Sequence, residues 1–101
     1  MSFRHHPAHR AGELVADGYL VIDVREPHEL AAGALPDSTN IPLSQLRQRI
    51  GAYPRTSRIA LICQTGNRSV EAADTLVRMG FTNVVNLLGG VTGAARRSVA
   101  A

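Results

Sequence analysis

The chain has 101 residues, 45% of them hydrophobic, and this bounds it to one domain. Its formal net charge of +3 comes from 11 basic residues, all arginine, against 8 acidic ones. They are scattered among few aromatics rather than gathered on one face, which argues against nucleic-acid binding. A single cysteine excludes an intramolecular disulfide, a C-x-x-C redox pair and a Cys/His metal quartet, and it points to a reduced compartment.

Residues 1–7 hold no apolar core of the kind a signal peptide needs, and no segment reaches the roughly 20 apolar residues of a membrane span, so no membrane partner is expected and the cytoplasm is the default. His5, His6 and His9 have no cysteine or carboxylate at ligand spacing beside them. They read as part of a solvated, flexible terminus rather than a metal site, and neither a metal nor another cofactor is expected. Residues 8–16 read as a short helix stopped by Asp17-Gly18. Residues 19–24 are a near-continuous apolar run, the pattern of a strand buried on both faces of a parallel sheet. Residues 26–32 suit one or two helical turns, with Pro27 at the first position and Gly33 closing the end.

A short strand is predicted over residues 38–41. A helix follows over 45–50, with Leu43, Leu46 and Ile50 on one face. Residues 59–63 form the next buried strand, and Ser69 begins a helix through Met79 that turns Val70, Ala73, Leu76 and Val77 inward and stops at Gly80. Residues 84–87 give a last strand, after which Gly89-Gly90 turns the chain into a terminal helix. Alternating strands and helices with right-handed crossovers predict a three-layer α/β/α domain around a mainly parallel sheet of four or five strands.

In such sheets ligands sit beyond the carboxyl ends of the strands, where Cys63 opens the run Cys63-Gln64-Thr65-Gly66-Asn67-Arg68-Ser69. A thiol between a buried strand and a helix start meets converging backbone N–H groups and the positive end of the helix dipole, which lower its pKa and make it a nucleophile. Gly66 lets an N–H turn inward, Asn67 can do likewise or orient a neighbour, and Ser69 is read as the helix N-cap. Arg68 is read as bracing the loop through carbonyls, in preference to binding an anion. Asp23 and Arg25 end the neighbouring strand; a salt bridge or backbone hydrogen bonds suit them better than catalysis.

Four segments together resemble the rhodanese family of sulfurtransferases, in its small single-domain form, over roughly residues 8–97. They are Val21-Ile22-Asp23-Val24-Arg25-Glu26, then Glu29 to Gly33 with Asn40-Ile41-Pro42-Leu43, the Cys63–Ser69 loop, and Leu88-Gly89-Gly90-Val91. The resemblance implies a rhodanese-like fold and a cysteine that takes sulfane sulfur from a small anionic donor such as thiosulfate. That cysteine would hold the sulfur as a persulfide and pass it to cyanide, a dithiol or a thioredoxin-like thiol, with Gln64, Thr65, Gly66, Asn67, Arg68 and Ser69 forming the binding loop. A non-catalytic sulfur-relay or partner-binding module is the alternative.

Relatives generally carry histidine where Ala34 stands, glycine at Asp37 and tryptophan near Ala94, so a more open pocket wall is expected. A phosphatase or arsenate reductase of the same fold is disfavoured, because those phosphatases place five residues between cysteine and arginine whereas only Gln64 to Asn67 intervene here.

Overall fold

Every strand of the sheet runs parallel to its neighbours. The computed structural model describes the backbone of residues 2–100 and the side chains of residues 2–95. In chain order the elements are β1 (Arg4–Pro7), a 3-10 turn (Ala8–Arg10), α1 (Ala11–Ala16), β2 (Leu20–Asp23), a 3-10 segment (Pro27–Ala32) and β3 (Ser38–Asn40). They continue with α2 (Leu43–Ile50), β4 (Arg58–Ile62), α3 (Asn67–Arg78), β5 (Asn83–Leu88) and α4 (Gly90–Ala100). Among the described residues the five strands lie side by side in the order β1-β5-β4-β2-β3, and the fold is therefore α/β.

The apolar runs form strands because both of their faces are covered. On β4, Ile59 and Leu61 enter one cluster with Ile22, Leu46, Ile50 and Leu76, while Ala60 and Ile62 enter another with Ala11, Leu14, Val85 and Leu87. Period-2 alternation sends successive side chains to opposite layers, so a strand central to both must be apolar throughout. Helices α2 and α3 supply the first layer, and α1 and α4 the second. Among the described residues no helix is long and apolar enough to cross a membrane.

Two expectations are corrected. Residues 1–7 are not simply a free terminus: Arg4–Pro7 lie against β5 in register from Arg4↔Val85 to Pro7↔Leu88. The ladder is a backbone property, and β5 would otherwise leave one row of N–H and C=O groups without strand partners. Side chains then fasten the strand: Arg4 donates to the Tyr19 hydroxyl at 2.7 Å, His5 meets Phe3 edge to face at 5.3 Å, and His6 lies 3.1 Å from the Glu13 carboxylate.

In α3 the inward stripe is Ser69, Ala72, Ala73, Leu76 and Val77, whereas Val70 is 40% exposed. The helix starts at Asn67, two residues before the expected position, and its phase is set by burying Ser69 beneath the cysteine loop. Spacings of three and four from Ser69 then select 72, 73, 76 and 77 and leave 70 beside the stripe.

Candidate active site

Cys63 is the first residue beyond β4, and its side chain is buried at 1% exposure. The chain then turns through Gly66, whose φ of +112° is left-handed and points its N–H back at the sulfur, 3.1 Å from Sγ. The Ser69 N–H lies 3.3 Å from the same sulfur, and Ser69 Oγ is 3.5 Å from it and 3.1 Å from the Gly66 carbonyl oxygen. The hydroxyl donates to that carbonyl while the thiol is protonated, and it is placed to turn toward a thiolate. Burial pushes the Cys63 pKa up, but the Ser69 hydroxyl and the N–H groups of Ser69, Gly66 and Arg68 outweigh it and hold the thiol below its ordinary value.

Ser69 is therefore not the N-cap. That position belongs to Gly66, which offers no side chain, and the helix instead uses the sulfur as acceptor for the Ser69 N–H. One arrangement thus satisfies a helix start and favours negative charge on Sγ.

Arg68 braces the loop through a carboxylate rather than through carbonyls. Its Nη1 and Nη2 donate to Oε1 and Oε2 of Glu29 at 2.6 and 2.8 Å. The Arg68 guanidinium and then the Glu26 N–H hold the Glu29 carboxyl down at about 2. Glu29 lies in the segment Pro27–Ala32, where it forms a capping box with Glu26.

Asp23 and Arg25 form a fully buried pair, with Arg25 Nη2 2.7 Å from Asp23 Oδ2 and Nε 3.0 Å from Oδ1. Arg25 also donates to the Gly33 carbonyl at 2.9 Å and to Gln64 Oε1 at 3.1 Å, and Gln64 Nε2 donates to Thr92 Oγ1 at 2.9 Å. Gln64 therefore ties the end of β2 to the start of α4 directly beside the cysteine. Thr65 and Asn67 are exposed to solvent.

Three contributors went unassigned in the sequence: Glu29, Thr92 and Gly90. The N–H groups of Val91 and Thr92 donate to the carbonyls of Cys63 and Gln64 at 2.9 and 3.0 Å. Gly90 permits this approach, since a Cβ there would fall within 2.5 Å of the Gln64 carbonyl oxygen and closer still to that of Cys63. The Gly89-Gly90 pair signals a turn, but what the turn approaches is a tertiary fact. Glu29 carries a local signal, the capping box it forms with Glu26 across Pro27, which says nothing of Arg68, 39 residues on.

Ala34 and Ala94 do line a common cavity of about 200 Å³ with Leu35 and Val91, between the loop after Ala32 and the start of α4. Asp37 borders a separate cavity of about 90 Å³ beside α1.

The model of the rhodanese-like domain matches residues 8–96. The chain is 32% identical over 80 residues to a sulfurtransferase of Allochromatium vinosum, covering 79% of this chain and 75% of that protein. It is 30% identical to a thiosulfate sulfurtransferase, GlpE, of Pseudomonas syringae, covering 87% of this chain and 83% of that one. A rhodanese-related protein from Thermoplasma volcanium superposes with a TM-score of 0.82 at 37% identity, covering 94% and 93% of the two chains.

Proposed function

The chain belongs to the rhodanese-like domain family, and from that membership we propose that it is a sulfurtransferase working through a Cys63 persulfide. The Cys63 thiolate attacks the sulfane sulfur of thiosulfate or a similar donor. The S–S bond of the donor breaks, its electron pair leaves on sulfite, and Cys63–S–S⁻ remains. A thiophilic acceptor, either cyanide or a dithiol or thioredoxin-like thiol, then removes the outer sulfur and restores the thiolate.

The observation that carries this reading is the convergence of the Gly66 and Ser69 N–H groups on a buried Sγ. Amides fixed before the reaction stabilise charge without reorganising, in the manner of an oxyanion hole. Gln64 and Arg68 serve as loop braces in this scheme, Asp23 and Arg25 hold the loop from beneath, and the free thiol fits the reducing cytoplasm.

The test is intact mass after incubation with thiosulfate. We expect one added sulfur, its loss on adding cyanide with thiocyanate formed, and neither event in Cys63→Ser. A mass unchanged by thiosulfate and by a persulfide donor alike defeats the proposal, and Cys63-dependent hydrolysis of an aryl phosphate would favour a phosphatase instead. A second reading, a sulfur-relay module, is favoured by the open cavity beside Ala34 and Ala94, which leaves room for part of a partner at the loop. It requires loading from a protein persulfide without turnover on cyanide.

A further inference from the structure

Two arginines bond to the surroundings of Cys63 among the described residues, and each is already matched by a carboxylate. Arg25 is paired with Asp23 in the interior. Arg68, the only cationic side chain within the cysteine loop, gives both ends of its fork to Glu29. The stabilisation aimed at the sulfur itself therefore comes from backbone N–H groups and the Ser69 hydroxyl, which suit one atom with one charge.

A thiosulfate dianion asks for more. Its sulfonate end needs a cation or several donors beyond those that receive the transferred sulfur, and a planar guanidinium would serve it well. Glu29 takes both ends of the Arg68 fork, the donors such an anion would use on that side chain.

We propose that Glu29 is the specificity-determining residue of this site: by occupying Arg68 it disfavours dianionic donors of the thiosulfate type and favours persulfide donors, R–S–SH. The inference rests on the sulfurtransferase reading and names the donor class within it. The chemistry balances without an external oxidant. Cys63 thiolate attacks the outer sulfur of R–S–SH, the S–S bond breaks, its electron pair leaves on R–S⁻, and the outer sulfur keeps its proton as Cys63–S–SH. No part of such a donor beyond the transferred sulfur needs a cation.

The charged groups that bear on the loop are Arg68 on α3, Glu29 and the neighbouring His28 on the 3-10 segment, and the Asp23–Arg25 pair at the end of β2. Changing Glu29 alone thus uncovers Arg68 and leaves the buried pair in place.

The experiment compares wild type, Glu29→Gln and Glu29→Asp with thiosulfate and with glutathione persulfide as donors and cyanide as common acceptor. Glu29→Gln should raise the thiosulfate-to-persulfide ratio of kcat/KM about tenfold, with the gain in the KM for thiosulfate, as expected for one recovered charge-assisted fork at a partly exposed site. Glu29→Asp keeps the charge and should keep the wild-type ratio. Iodoacetamide alkylation should show the Cys63 inflection at lower pH in Glu29→Gln, because an unmatched Arg68 favours the thiolate.

A carboxylate that only braces the loop gives other results. Gln and Asp would then slow both donors alike, and the inflection would stay or rise; either outcome overturns the proposal. Failure of the wild type to take sulfur from either donor would sink the sulfurtransferase reading itself, whereas the alkylation profile would still report whether Glu29 silences Arg68.

Discussion

Ser69 shows how a short side chain can decide a reactive one. Its hydroxyl and N–H both face Sγ, and Ser69→Ala removes only the hydroxyl. We expect the alkylation inflection of Cys63 to move up and the rate at neutral pH to fall about fivefold, the worth of roughly one hydrogen bond of 1 kcal/mol. The same thiol links stability to pH. Because folding lowers its pKa, the unfolded chain binds more protons between the folded and unfolded values. Stability from this group is therefore present above the unfolded pKa and is lost as pH falls through the folded one. Urea unfolding should show a gain with rising pH across that window which Cys63→Ser lacks. Glu29 has the same sign but a different window: with its carboxyl held at about 2, its pair with Arg68 survives until strong acid and contributes nothing to pH effects near neutrality. The cysteine loop could be read from the sequence because strand, glycine and helix start are local signals. The partner of Arg68 could not, since Glu29 is joined to it only by folding.

Helix α4 begins where the cysteine loop ends its turn, and Gly90 is the point of contact. Gly90→Ala must displace the carbonyls of Cys63 and Gln64. We expect a loss of about 3 kcal/mol or more in urea unfolding, together with slower alkylation of Cys63, because the backbone that aims the loop has moved. Strand β1 makes the complementary case. Its sequence, Arg4-His5-His6-Pro7, carries no strand-like periodicity, so nothing local announces it. It forms because β5 presents a vacant ladder, and only long-range pairing shows that. Helix α3 was legible in extent and mostly in face, apart from Val70, because its start depends on where the sulfur sits. The buried runs of β2, β4 and β5 were the plainest of all, since a strand enclosed between two helical layers has no polar face to confuse the pattern.

The two hydrophobic clusters lie on opposite faces of one sheet and share its strands, so they should unfold together. Leu14→Ala empties one side and Ile50→Ala the other, each at a side chain no more than 6% exposed. Either change should cost about 2–5 kcal/mol and shift a single transition seen alike by far-ultraviolet and near-ultraviolet circular dichroism. Two separated transitions would mean that the layers are independent. The class of the fold followed from composition and alternation, but the order of strands did not: period tells which faces are buried, while pairing is decided by crossovers that span tens of residues.

That order has a consequence for the birth of the protein. Arg4 pairs with Val85, so β1 has no neighbour in its own sheet until β5, the strand furthest from it along the chain, has been translated. At 5–20 residues per second the wait is roughly 4–16 seconds. Through that interval β1 stays open to whatever the cell brings to it, and the sheet gains this outer edge only once β5 is in place.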